Sequence, residues 1–208
     1  MDLCSLCFFL KQGNKLLTKN MKKLDYILRN WRYSMVEPFI PEDCEILDIG
    51  GYDGSFLLRI KNKIKKGYCI DPLIQPFKDD KLEFIKKKIS KKFPFPDSSF
   101  DVITLLAVFE HLGKERIIFV EEIFRLLKEE GIVVLTVPDK FVDSILKLLS
   151  ILNLIDGMSI EEHDKYNVSG TPDIFTKKGF VLKKWKKFQL GLNNLFIFKK
   201  KSGDNILV

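Results

Sequence analysis

Ile46-Leu47-Asp48-Ile49-Gly50-Gly51-Tyr52-Asp53-Gly54-Ser55-Phe56 is the stretch that decides the fold. A short apolar run closes around an acid, turns on three glycines and leads into Phe56-Leu57-Leu58-Arg59-Ile60. That order reads as a buried strand, a tight turn and an amphipathic helix. Gly50, Gly51 and Gly54 permit positive φ and let a ligand approach backbone that carries no Cβ. The helix after the turn aims its free N–H groups at whatever fills the gap. Asp71 ends a second apolar strand, Gly67-Tyr68-Cys69-Ile70-Asp71, about 20 residues downstream, where nucleotide-binding α/β folds place a ribose-binding acid. The pattern implies a site for a nucleoside-containing cofactor.

Two common nucleotide motifs are excluded. A dinucleotide fingerprint needs G-x-G-x-x-G, and Ile49 stands where its first glycine belongs. No Gly-Lys-Ser/Thr follows, so the phosphate loop of nucleotide triphosphatases is absent as well. What remains, Asp48-Ile49-Gly50-Gly51-Tyr52-Asp53-Gly54, resembles motif I of the class I S-adenosylmethionine-dependent methyltransferases, of the form D-x-G-x-G-x-G. Three further segments resemble the family in the right order. Phe93-Pro94-Phe95-Pro96-Asp97-Ser98-Ser99-Phe100-Asp101-Val102-Ile103 looks like the approach to its fourth strand, and Glu110-His111-Leu112 like the acid–histidine pair after it. Arg125-Leu126-Leu127-Lys128, then Gly131-Ile132-Val133-Val134-Leu135-Thr136-Val137-Pro138, looks like its fourth helix and fifth strand.

Composition is that of a soluble protein: of 208 residues, 46% are hydrophobic and 30% charged. That length suits one domain with an ample core. Within it the reading separates an N-terminal helical segment (1–40), a cofactor-binding core (41–138), a helix with a substrate cover (139–178) and a C-terminal β-hairpin (179–208). A net charge of +7 invites a nucleic-acid partner, yet the lysines look scattered through strands and helices alike. Nucleic acid is therefore the lesser expectation. Cys4 and Cys7 have C-x-x-C spacing, but no second pair completes a zinc site, and no metal is expected. Residues 3–10 form a short apolar run without preceding basic residues, unlike a secretory signal. No stretch reaches the roughly 20 apolar residues of a membrane span. Residues 142–155 come nearest and read as a core-facing helix, with an interfacial helix as the other reading. The expected location is cytoplasmic; oligomeric state is left open.

Helical spacing of Leu24, Ile27, Leu28 and Trp31 predicts a helix over 14–35, ended by Pro38 and Pro41, with Trp31 in the core. Strands are predicted at 46–49, 68–70, 82–89, 101–107 and 132–137, and a helix at 114–128. Residues 179–189 and 194–200 read as a hairpin joined by Gly191-Leu192-Asn193-Asn194. Alternating strands and helices closed by a hairpin give an α/β three-layer sandwich. The resemblance adds a Rossmann-like, seven-stranded, mostly parallel sheet with an antiparallel C-terminal strand.

The resemblance also implies roles. Asp48, Gly50, Gly51 and Gly54 would face the methionyl end of S-adenosylmethionine, and Asp71 the ribose hydroxyls. A carboxylate suits the latter because it accepts two hydrogen bonds in fixed geometry. Their rival readings are a loop-capping acid for Asp48 and an Asp-Pro turn starter for Asp71. Lys88 and Ile89 fall where relatives meet adenine, although lysine cannot accept from the adenine amino group. Tyr52 replaces the family's middle glycine and must turn its ring from the cofactor or crowd it. Glu110 either caps a helix or lines the pocket.

His111 follows a central strand at its carboxyl end, where open α/β sheets bind ligands. It is a candidate general base, with a structural helix-start role as the alternative. Relatives with E-x-x-E-H here bind a divalent cation; this chain has Ala107-Val108-Phe109-Glu110-His111 and lacks the first ligand. His163 and Tyr166, in the polar segment 156–172, are candidate substrate contacts. No Asp/Asn-Pro-Pro-Tyr/Phe and no Pro-Cys nucleophile appears, against DNA amino- and cytosine-C5 methylation. The nearest resemblance is to enzymes of the ubiquinone and menaquinone type, which act on small molecules. Methyl transfer to a small-molecule acceptor, with oxygen favoured, is the expectation. An RNA or protein acceptor and a non-catalytic binding domain are the alternatives.

Overall fold

A computed structural model describes residues 22–139, 142 and 166–202. Residues 1–13 with Cys4 and Cys7, the first part of the N-terminal helix, nearly all of the expected 142–155 helix, and His163 lie outside the described residues. Helix α1 runs Lys23–Val36 and ends in a 3-10 turn, Glu37–Phe39, that carries Pro38. Strand β1 (Glu45–Ile49) leads through the glycine turn into α2 (Ser55–Ile60). Then come β2 (Lys66–Asp71), the two-residue β3 (Phe77–Lys78), β4 (Leu82–Lys86) and β5 (Phe100–Leu106). A kinked 3-10 segment, Phe109–Glu115, precedes α3 (Arg116–Leu126) and β6 (Leu127–Pro138). Finally α4 (Thr171–Thr176) precedes the hairpin β7 (Phe180–Phe188) and β8 (Asn193–Lys200).

These strands form one sheet in the order β3-β4-β2-β1-β5-β6-β8-β7. The pairs β4–β2, β2–β1, β1–β5 and β5–β6 are parallel, and β8 is antiparallel to both its neighbours. Seven strands match the expected sheet; the eighth, β3, is a short antiparallel edge on β4.

The three layers follow from the period-two alternation of a strand. Leu47, Ile49, Ile103, Leu105, Val133, Leu135, Phe196 and Phe198 pack with Phe119, Val120, Ile123 and Leu126 of α3 and Phe175 of α4. The residues between them, Ile46, Val102, Val134, Leu195 and Ile197, pack with Tyr33 and Val36 of α1 and with Phe56, Leu57 and Ile60 of α2. One face of the sheet thus belongs to α3 and α4, the other to α1 and α2. Asp48, Thr104 and Thr136 have the parity of the α1 face.

Three local expectations are corrected. The third expected strand stops at Lys86 rather than residue 89, because its partner β2 ends at Asp71, which pairs with Lys86. Lys88 is consequently exposed beyond the strand, and Ile89 packs on the α3 side of the core. The hairpin turns through residues 189–192, with Gln189, Leu190 and Gly191 all at positive φ, while Asn193 and Asn194 already pair in β8. Their side chains are buried and bonded inward, to Gln189 Oε1 and to the Val137 carbonyl, which draws both residues into the strand. Trp31 is 41% exposed: α1 buries Tyr33 and Val36 instead.

Phe175 joins the last helix to the hairpin. It is fully buried, and its ring stacks on Phe198 at 4.3 Å between centroids and 8° between planes. Phe175→Ala should cost about 3–5 kcal/mol in urea unfolding, the usual price of emptying a buried aromatic site. A loss under about 1 kcal/mol would mean that α4 is not part of the core.

Candidate functional site

At the carboxyl end of β1, register lines up Cys69, Asp48 and Thr104 on three adjacent strands. Asp48 is 1% exposed. Thr104 Oγ1 donates to its Oδ1 at 2.6 Å, whereas Oδ2 is buried without a hydrogen-bond partner. Burial raises the Asp48 pKa to about 7; the Thr104 hydroxyl opposes the shift, and the nearby Asp71 and Asp53 charges add to it. Cys69, also buried, is pushed well above the usual thiol range by its burial and by these acids.

The turn itself is tightly filled. Gly50 and Gly54 adopt φ of +76° and +70°, a region that strains any residue with a Cβ. A Cβ on Gly50 would come within 2.4 Å of Val108, and one on Gly54 within 2.5 Å of the Phe84 ring. At Gly51 it would stand 2.3 Å from Asp48 Oδ2 and 2.5 Å from Cys69 Sγ. The space a side chain would occupy is held by protein atoms, so close packing of the loop requires these glycines. Tyr52 also takes a positive φ, +53°, and its ring is half-buried.

Asp71 fastens this loop to β2. Its Oδ2 accepts from Tyr52 N at 3.0 Å and its Oδ1 from Leu73 N at 2.7 Å. The second bond is the expected Asp-Pro turn. Each carboxylate oxygen retains a further lone pair, so the turn and a ligand's hydroxyls are compatible partners. Asp53 accepts from Ser55 N, the first residue of α2, at 3.0 Å, and it pairs with Arg29 Nη1 at 2.7 Å. Tyr33 and Ser55 share a hydrogen bond of 2.8 Å. Gln189 Nε2 donates to the Leu28 carbonyl at 2.7 Å. Helix α1 is thereby tied both to the glycine loop and to the hairpin, across the carboxyl ends of the central strands.

The expected residues divide between regions. Asp48, Gly50, Gly51, Gly54 and Asp71 converge on one loop. Glu110 is buried just beyond β5 and acts electrostatically on Arg32 of α1. Burial lowers the Arg32 pKa, and Glu110 and Tyr33 oppose that shift. His111 is exposed, with Nε2 3.9 Å from Glu110 Oε1. Tyr166 sits elsewhere: it packs on Phe109, beneath the Arg116 guanidinium at 4.0 Å, and its hydroxyl bonds Thr171 Oγ1 at 2.7 Å. Burial raises its pKa. Lys88 lies outside the loop altogether. Thr104, Arg29 and Gln189 were not foreseen; an isolated polar residue inside an apolar strand is the one signal that pointed to Thr104. Among the described residues, no group of three or more His, Cys, Asp or Glu could hold a metal ion, and no helix is long and apolar enough to cross a membrane.

Because Asp48 binds a proton more tightly folded than unfolded, its contribution is a loss of stability as pH rises from about 4 to about 7, flat beyond. Asp48→Asn removes that loss. The variant should gain on the wild type over this window, by up to about 4 kcal/mol at neutral pH. Parallel stability curves from pH-resolved urea denaturation would contradict the buried-acid assignment.

The sequence profile of a family described as a methyltransferase domain matches residues 16–168. No curated protein matches the chain in sequence. Among solved structures, an S-adenosylmethionine-dependent methyltransferase from Methanosarcina mazei is similar at 21% identity and a TM-score of 0.59, over 80% of this chain and 97% of that one. Another, from Aquifex aeolicus, is 16% identical with a TM-score of 0.59, over 81% and 88%. The [4+2]-cyclase SpnF is also similar in shape, with 13% identity and a TM-score of 0.63, over 82% and 80%. Likeness at this distance carries the fold; the matched profile, which spans most of the chain, carries the family. This chain is a member of the methyltransferase domain family, with S-adenosylmethionine as its cofactor.

Proposed function

We propose that this protein transfers a methyl group from S-adenosylmethionine to an oxygen of a small-molecule acceptor. The observation that carries the reading is the unpartnered, buried Oδ2 of Asp48 at the glycine loop. A carboxylate oxygen left bare in a packed loop fits the ammonium of a methionyl group. The free lone pairs of Asp71 fit ribose hydroxyls. Gly50, Gly51 and Gly54 shape the loop, and Lys88 and Ile89 flank the adenine end, where Ile89 supplies an apolar contact. The cofactor, when bound, offers an electrophilic methyl on a sulfonium.

The remaining task of the chain is to align the acceptor, an effect that can supply about 7–11 kcal/mol. An acceptor hydroxyl that took up this methyl would have to give up its proton. His111 is the proposed recipient of that proton; its exposed ring stands at the carboxyl end of β5 beside Glu110. The bonds from α1 to both Asp53 and Gln189 support a covered space, suited to a small molecule more than to a polymer. His163 and Tyr166 are proposed to lie on the acceptor's approach, with Tyr166 acting through Arg116 and Phe109.

Two variants test the assignment. Asp71→Ala should weaken S-adenosylhomocysteine binding at least about tenfold by calorimetry; an unchanged Kd would remove Asp71 from the ribose site. His111→Gln should leave that Kd intact and lower turnover roughly 100- to 10,000-fold. Full turnover in His111→Gln would assign the proton to another group.

A further inference from the structure

Beneath α1, where β6 ends and β8 begins, three side chains hold buried polar atoms that no described residue engages. Thr136 is fully buried and its Oγ1 has no partner. Asn193 is 5% exposed; its Nδ2 donates to Gln189 Oε1 at 2.6 Å, and its Oδ1 receives nothing. Arg32 Nε is buried and unpartnered. Among the described residues no salt bridge to Arg32 is formed, and Glu110 and Tyr33 favour its charged form electrostatically.

These groups share one location. Strand alternation puts Thr136 and Asn193 on the α1 face with Val134, Leu195 and Ile197. Thr136 pairs with Leu195 and Asn193 with Pro138, which makes the two diagonal neighbours, roughly 7–8 Å apart. Gln189 links Asn193 to the Leu28 carbonyl, and Arg32 lies one helical turn beyond Leu28 on the same side of α1. Unmade buried hydrogen bonds are costly, so a guanidinium Nε, an amide oxygen and a hydroxyl left without partners on this side of the sheet mark a place for a ligand with matching groups.

Charge points the same way. The chain has 35 basic and 28 acidic residues, and residues 180–201 contain seven lysines and no acid. The net charge of +7 therefore resides in the hairpin, and the rest of the sequence is balanced. Lys183, Lys184, Lys186 and Lys187 lie along the exposed edge strand β7, which runs towards Gln189. Lys187 pairs with Asp139 and Lys184 lies over the Phe39 ring; Lys183 and Lys186 extend this positive edge. A localised positive field draws in anions.

We propose that the methyl acceptor is a small anionic molecule bearing hydroxyls, with its carboxylate or phosphate on Arg32 and a hydroxyl donating to Asn193 Oδ1. Thr136 Oγ1 serves a second polar group of the same molecule. This rests on the methyl-transfer reading above and names the class of acceptor for it. Lysines on an edge strand also discourage strand pairing, a role that requires no ligand.

The test uses the full chain saturated with S-adenosylhomocysteine, titrated with D-glucuronate and with neutral D-glucose. Glucuronate should bind at least about tenfold more tightly, and the preference should shrink as salt rises. Arg32→Gln should abolish the preference. Arg32→Lys, which keeps the charge but not the fork, should retain part of it and serves should Arg32→Gln not fold. Equal binding of the two sugars by the wild type, or a preference that survives Arg32→Gln, would overturn the proposal. So would weaker binding of S-adenosylhomocysteine but not of methylthioadenosine by Arg32→Gln, because the guanidinium would then serve the cofactor's carboxylate. Displacement of glucuronate by a mixed-sequence single-stranded RNA at lower concentration would give the surface to a polymer instead. Failure of S-adenosylhomocysteine itself to bind would refute the methyl-transfer reading rather than this one.

Discussion

A carboxylate sunk between three parallel strands, bonded on one oxygen and bare on the other, sets the terms for the surrounding structure. Asp48 occupies a position that strand alternation would otherwise give to an apolar residue. Thr104, in register on β5, satisfies Oδ1. Gly51 must lack a side chain because Asp48 Oδ2 and Cys69 Sγ fill its space. Val108 and Phe84 close over Gly50 and Gly54 in the same way. The loop is thereby held in one conformation, which suits a site that must present backbone and a single acid to a ligand. Leaving one buried oxygen unbonded opposes folding, and that cost is characteristic of functional sites.

The central strands, their parallel pairing and the glycine turn were readable because each rests on local rules. Residues 101–107 and 132–137 are near-continuous apolar runs, and such runs become strands buried on both faces. Positions set by tertiary partners were less readable. Nothing in the sequence around Lys88 says that β2 ends at Asp71 and so ends its neighbour at Lys86. Asn193 and Asn194 read as turn residues on propensity, yet hydrogen bonds inside the sheet override it. Trp31 has the helical spacing of a core residue but lies on the outer side of α1, since the buried stripe of that helix passes through Tyr33 and Val36.

Much of the candidate site was legible for the same reason. Asp48, the glycines and Asp71 sit on one strand–turn–helix unit and its neighbouring strand. The residues proposed for the acceptor were less so, because Thr136, Gln189 and Asn193 come from β6 and the hairpin and meet α1 only in the folded chain. Similarity of the backbone to both methyltransferases and a cyclase underlines that fold alone does not select a reaction.

The central claim is that Asp48 receives the cationic end of S-adenosylmethionine, and calorimetric titration of the cofactor as a function of pH addresses it directly. A cation beside Asp48 favours its charged form, so binding should tighten as pH rises from about 5 to about 7 and release a proton from this acid. Both effects should vanish in Asp48→Asn. No binding at millimolar cofactor, or an affinity independent of pH in the wild type, would contradict the account.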